Sequence, residues 1–392
     1  MDSGNQQQPQ GQQDRGGLTA NWHLTTVWGI PIGIHWSMSF VFALLTISLA
    51  VAYFPETDPN LRPPTYWVMA LVTASLFYGS ILLHELGHAW VALRNKLPVE
   101  DITLFIFGGV ARLGGRATNA GAELRIAAGG PAVSLALTLV FGAISFVTQD
   151  FTYISAPTGW LARLNLILLV FNLVPGFPLD GGRILRALVW QFTGNERRAT
   201  RVSLISGQVL AFGLMGLGAF IAFSGNFANG IWFILIGWFL QNAAVSEATG
   251  SRVEQALRGA TVRQAMGPRE PQVSSRLKVR QFVDEHVLRT GHGYFLVVED
   301  DVPRGVVTLR DLVHVPQERW DWADVSEIMT PWSRLNVVSP DTDLITAMQL
   351  MDEASVSSLP VMDGQQVCGL LTREEVMRYV RLRIALDQGN NQ

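Results

Sequence analysis

Six stretches of this chain stay apolar long enough to cross a lipid bilayer as helices, and no other feature narrows the fold as much. A spanning helix needs about 20 mostly apolar residues. The candidates lie at roughly 35–54, 67–92, 124–148, 158–175, 202–223 and 230–246. Near residue 250 the composition changes from long apolar runs to charged, alternating segments. The expected fold class is therefore an α-helical polytopic membrane domain of about six spans, followed by a soluble α/β region. The chain has 392 residues, of which 48% are hydrophobic and 16% charged, which leaves room for both parts. Arg163 sits near the start of the fourth run, where snorkelling toward the interface would accommodate it. The opening "MDSGNQQQPQGQQDRGG" lacks the basic start and apolar core of a signal peptide. Residues 1–20 read as a disordered polar tail.

Loop charges orient the spans. The connection between spans two and three carries Arg94, Lys96, Arg112, Arg116 and Arg125. The connection between spans four and five carries Arg183, Arg186, Arg197, Arg198 and Arg201. In the alternate loops Arg62 is the exception to a near absence of positive charge. The positive-inside rule then places both termini in the cytoplasm of a multi-pass cell-membrane protein.

The second run contains "HELGH", residues 84–88. Charged and polar groups at membrane depth are costly and usually functional. On a helix His84 and His88 share a face, so both can hold one ion. Glu85, about 100° round the helix from His84, can act on water without ligating the metal. This is the H-E-x-x-H arrangement, and zinc suits imidazole with a third protein ligand and an open position. The single cysteine, Cys368, excludes a thiolate cluster. His23, His35, His286, His292 and His314 are the remaining histidines. Asp180 is better placed, in "FNLVPGFPLDGGR", where Pro175 and Pro178 break the helix and Gly176, Gly181 and Gly182 allow tight turns. In the six-span map Asp180 and "HELGH" both lie toward the cytoplasmic end of their spans.

"HELGH" together with "NLVPGFPLDGG" resembles the site-2 protease family of intramembrane zinc metalloproteases. "GIPIGIHWS" (29–37) and "GGPAVSLAL" (129–137) are also similar to family segments. The resemblance covers roughly residues 20–245. It implies one zinc ion per chain, with His84, His88 and Asp180 as ligands and Glu85 as general base. The substrate it implies is a single-span membrane protein cleaved within the bilayer. Asn172 is a candidate for hydrogen bonding the substrate backbone, with a helix-packing amide as the other reading. Ser134 stands where the family often has an asparagine. "VEDITLFIFGGVARLGG" (99–115) reads as short strands with glycine turns. An exposed edge there would pair with an extended substrate, or the segment is a structural hairpin.

The soluble part repeats itself. "TVRQAMGP" (261–268) matches "DVSEIMTP" (324–331), and "GVVTLRDL" (305–312) matches "GLLTREEV" (369–376). Each unit reads helix, strand, helix, strand, strand, helix. The pair resembles tandem CBS domains, which implies an adenine nucleotide as ligand and a homodimer through the CBS pairs. Thr308 with Asp311 and Thr372 with Glu375 have the spacing of nucleotide-binding residues. The other reading is that each acid sits in a helix's first turn, where the dipole favours it.

The expected organisation is a tail at 1–20, a transmembrane metalloprotease domain at 21–248, CBS domains at 252–316 and 317–384, and a tail at 385–392. A net charge of −3 gives no footprint for nucleic acid. Other readings are a CBS-regulated transporter or channel and an inactive homologue serving as scaffold. Paired "HELGH" and "LDGG" motifs favour the peptidase over both.

Overall fold

The computed structural model describes residues 22–106, 108–115, 117–267, 271–300, 302–354, 356–364 and 366–389. The polar tail assigned to residues 1–20 lies outside them, as does Arg116. The chain divides into two compact units between Glu247 and Ala248.

The first unit is built on helices α1 (Ser37–Thr57), α2 (Pro63–Arg94), α3 (Ala120–Val147), α4 (Thr152–Asn172), α5 (Asp180–Thr193) and α6 (Glu196–Phe223), with α7 (Phe227–Leu257) running past the division. All but α5 are long and apolar enough to cross a membrane, making six candidate spans among the described residues. At about 1.5 Å per residue the 32-residue α2 is about 48 Å long, more than the ~30 Å hydrocarbon core. Pro63 and Pro64 start it, where a missing N–H costs nothing. The Asn119 side chain caps α3 by accepting from Ala122 N–H at 2.8 Å, and Asn195 caps α6 by accepting from Arg198 N–H at 3.0 Å. The short α5 was not among the expected helices. It follows the "VPGFP" break and stops at Gly194, whose φ is +65°.

Arg163, expected near the start of its span, falls in the middle of α4, which begins at Thr152. Its guanidinium donates to the Tyr53 hydroxyl and lies 5.6 Å from the Tyr53 ring centroid. Tyr53 is in the last turns of α1, away from the end that carries His35.

A four-stranded sheet accompanies the helices, in the order β1 (Trp22–Val27), β2 (Ile30–Ile34), β3 (Val99–Phe105), β4 (Gly108–Leu113). The β3–β4 hairpin is the strand pair expected from residues 99–115. The sequence did not announce that β2 would pair with β3 in parallel. That register buries Ile32 and Ile102 against Ala89 of α2. Strand β4 is left at the edge.

The second unit contains the duplicated region. Its helices are α8 (Val262–Ala265), α9 (Val279–Phe282, continued by a π-turn Val283–Val287 and Leu288–Thr290), α10 (Leu309–Val313), α11 (Val325–Ile328), α12 (Leu344–Glu353) and α13 (Arg373–Gly389). Strands β5 (Gln272–Ser274), β6 (Tyr294–Glu299), β7 (Val302–Thr308) and β8 (Thr330–Pro331) form one sheet, and β9 (Ser358–Asp363) with β10 (Gln366–Thr372) form another. The expected element order holds in the first repeat. In the second, the opening strand shrinks to a single parallel bridge, Val338 to Val361, and Pro340, two residues on, cannot donate to a ladder.

The two larger cores of this unit do not respect the linear repeats. Val262 and Ala265 of α8 pack with Leu344, Met351, Leu359 and Val376 of the second repeat. Val325 of α11 packs with Val273, Phe282, Phe295 and Val307 of the first. Each repeat thus lends its opening helix to the other. Helix α13 continues to Gly389, so residues assigned to a tail from 385 are helical that far, with no glycine or proline before it to stop the helix.

Candidate metal centre

His84 and His88 lie one turn apart on α2, and both are buried. Asp180 opens α5. Its Oδ2 is 3.2 Å from His84 Nε2 and 3.2 Å from His88 Nε2, and the two Nε2 atoms are 3.3 Å apart. Among the described residues this is the one group of His, Cys, Asp or Glu side chains whose donor atoms converge as a metal site requires.

The far side of each ring explains why these donors face inward. His88 Nδ1 lies 2.7 Å from the carbonyl oxygen of Ile126. A carbonyl only accepts, so Nδ1 carries the proton and Nε2 presents its lone pair. The Gly130 N–H also approaches Nδ1, at 3.3 Å, but the shorter contact decides the tautomer. His84 Nδ1 lies 2.8 Å from the Ser134 hydroxyl, which can either donate or accept and so accepts from Nδ1 whenever Nε2 presents its lone pair to a metal. Two imidazole lone pairs and a carboxylate oxygen aimed at one point fit a divalent cation such as zinc. Partners on the outer nitrogens are the usual means of fixing ligating histidines.

Both anchors belong to α3, which approaches α2 so closely that only glycine fits at 130. A Cβ there would fall 2.2 Å from His88 Nε2 and 2.5 Å from His84 Nε2. Helix α5, which carries Asp180, is pinned by a buried arginine. Arg186 donates to Glu123 of α3, to Glu196 at 2.7 Å and to Thr200 at 2.9 Å, both of α6. The sequence reading counted Arg186 as a loop charge and missed this role. Gly181 and Gly182, expected to allow tight turns, have ordinary φ values. They are needed because the "VPGFP" backbone crosses the first turn of α5, with Leu173 O 2.3 Å from a Cβ at 181.

Glu85 is half-buried, with no hydrogen bond or ion pair among the described residues. Strand β4 lies against it: a Cβ on Gly109 would come 2.4 Å from Glu85 Cγ. The Asn172 amide, at the end of α4, is 3.5 Å from His84 Nε2. His35 stays outside the group, with its Nδ1 2.8 Å from the Ser37 hydroxyl. Ser134, whose part the sequence left open, is the His84 anchor. Its signal was the position within "GGPAVSLAL".

In the second unit both Thr-acid pairs are capping boxes, as the first-turn reading expects. Asp311 Oδ2 accepts from Thr308 N–H at 2.7 Å and from the Thr308 hydroxyl at 2.8 Å. Glu375 Oε2 accepts from Thr372 N–H at 3.1 Å and from the Thr372 hydroxyl at 3.2 Å. Beyond the caps they differ. Asp311 opens onto a cavity of about 310 Å³ shared with His314, Val315, Arg319, Glu327 and Ile328. Glu375 is buried, and its Oε1 lies against Gly267, where a Cβ would meet it at 2.2 Å.

The family model described as Peptidase family M50 matches residues 72–157 and 147–216. The CBS domain model matches 262–318 and 325–382. Rip3 of Mycobacterium tuberculosis, assigned as a zinc metalloprotease, is 34% identical over 90% of this chain and 91% of its own length. A Synechocystis protein, sll0528, with the same assignment, is 32% identical over 94% of this chain and 97% of its own. Among solved structures, the site-2 protease from Methanocaldococcus jannaschii is 30% identical and covers 57% of this chain and 94% of its own, with a TM-score of 0.39. On its sequence relatives, the chain belongs to the M50 or site-2 protease family: it is a zinc metalloprotease of the membrane that carries a tandem CBS pair.

Proposed function

We propose that the protein is an endopeptidase that hydrolyses peptide bonds within transmembrane segments of single-span membrane proteins. The observation that carries this reading is the convergence of His84, His88 and Asp180 at a buried point beside Glu85, which has no hydrogen bond or ion pair among the described residues. In this reading one zinc ion per chain sits on those three donors. Bound there, zinc supplies a Lewis acid and lowers the pKa of water. Glu85 takes a proton from the attacking water and delivers it to the departing amine nitrogen. Asn172 hydrogen-bonds a carbonyl of the substrate backbone. The edge of β4 receives the substrate as an added strand, supported by its contact with Glu85 at Gly109. The membrane domain occupies 21–248 and the CBS domains 252–316 and 317–384, with both termini cytoplasmic.

The test is Glu85→Gln in the purified protein. Cleavage of a model single-span substrate should fall by at least about 10³-fold, with zinc content unchanged. Near-normal turnover would remove Glu85 from the chemistry. Zinc bound normally by Asp180→Ala would remove Asp180 from the ligand set.

The CBS pair modulates the peptidase by binding an adenine nucleotide in the first repeat alone. Asp311 keeps Oδ1 free for ribose hydroxyls, and His314 and Arg319 line the same cavity. The Thr308 hydroxyl hydrogen is spent on Asp311, so this threonine serves as an acceptor. Thr372 and Glu375 are spent on their own cap and on Gly267. Calorimetry of residues 248–392 with AMP, ADP and ATP should give one site per chain, abolished by Asp311→Ala. No binding at millimolar nucleotide would make the unit a dimerisation platform.

A further inference from the structure

Arg183 stands on α5 one turn after Asp180, so the two side chains share a helix face. The residue is half-buried, and among the described residues its side chain has neither a hydrogen bond nor an ion pair. Of the other arginines of this unit, Arg112 is paired with Asp101, Arg125 with Asn95, Arg163 with Tyr53 and Arg186 with Glu123, while Arg62, Arg197, Arg198 and Arg201 are exposed. Along α5 it stands three residues after Asp180 and three before Arg186, between the site's carboxylate and the arginine of the buried network. It does not complete that network, since Glu123 gives Oε1 to Arg186 and leaves Oε2 without a hydrogen bond.

A half-buried cation with no partner beside a hydrolytic site calls for an anion that arrives during turnover. Peptide hydrolysis makes one. The C–N bond breaks, the oxygen of water joins the carbonyl carbon, and a proton passes through Glu85 to the nitrogen. The acyl fragment, after losing its own proton, is left as a carboxylate. A guanidinium matches a carboxylate with two parallel hydrogen bonds.

We propose that Arg183 binds the new C-terminal carboxylate of the acyl product and so reads the free end of a cleaved chain. This rests on the proteolytic reading of the same site.

The probes are two apolar peptides of one sequence, Ac-Ala-Leu-Val-Ala-Leu-Gly, one ending in a carboxylate and the other in an amide. Their affinities are measured with the full-length zinc-loaded protein in phosphatidylcholine nanodiscs. The wild type should bind the carboxylate peptide about tenfold more tightly than the amide. Arg183→Gln should erase that preference without changing amide affinity, zinc content or melting temperature, and Arg183→Lys should restore part of it. An unchanged preference in Arg183→Gln overturns the proposal. Equal weakening of both peptides with a lower melting temperature overturns it too, and makes Arg183 a structural partner of Glu123. A preference that moves only in nanodiscs of anionic lipid assigns Arg183 to headgroup phosphates instead. Failure of the proteolytic reading is visible separately, as a wild type that neither retains zinc nor cleaves a membrane substrate.

Discussion

His88 is held by a backbone carbonyl and His84 by a hydroxyl, so the two rings respond differently to substitution. The Ile126 carbonyl survives any side-chain change, whereas Ser134→Ala leaves His84 Nδ1 without its partner. Zinc affinity of Ser134→Ala should fall about 10–100-fold, read by competition with a chelator, with the fold intact. Gly130→Ala should be harsher. Its methyl would occupy space already taken by both Nε2 atoms, so purified protein should contain little zinc. A Gly130→Ala protein with full zinc would mean that α2 and α3 separate easily. The sequence made the donors legible because H-E-x-x-H is a helical spacing and "LDGG" follows a marked break. It did not make the anchors legible. Ser134 and Ile126 meet the histidines only through the crossing of two helices, and no local pattern encodes a crossing. Arg186 was misread for the same reason, since an arginine before a basic loop looks solvated until Glu123 and Glu196 are brought to it.

The spans were easy to locate as elements, because twenty apolar residues leave few alternatives. Helix α5 was not, being short and amphipathic, and the β2–β3 pairing was hidden by the whole of α1 and α2 between the strands. The exchanged opening helices of the CBS repeats show another limit. Each repeat is legible in line, but the partner of an apolar helix face is a tertiary choice. The second cap offers a pH test. Burial pushes the Glu375 carboxyl above its ordinary value, against the opposing pull of its bonds from Thr372. Below the ordinary carboxylate range, folded and unfolded chains both hold the proton. As pH rises the unfolded chain ionises first, so the folded unit loses stability until the pH passes the shifted value. Between about pH 4 and pH 7, the melting temperature of Glu375→Gln in residues 248–392 should therefore rise relative to wild type. A constant difference would mean that the carboxyl ionises normally in the fold.

For the whole molecule, six spans and alternating loop charge make one statement about sidedness. Several of the counted arginines are engaged within the protein, yet on the positive-inside rule they would still mark a cytoplasmic side. Reporter fusions after residues 60 and 250 should report opposite sides of the membrane. The same side for both would mean an even number of crossings between them. One feature of the first unit reaches beyond the protein itself. Strand β4 borders Glu85 across Gly109, so a chain bound along that edge has already given up its helix. In hydrocarbon an opened helix exposes backbone groups that nothing else satisfies. If substrates dock on that edge, the membrane would act as a filter for the peptidase, hiding every scissile bond in a well-formed helix. Substrates would then be chosen by their own weakness: a glycine, a proline or a polar residue within a turn or two of the bond would set how often it is presented. Two substrates with identical residues at the cut would be processed at different rates if one of them melts more readily there.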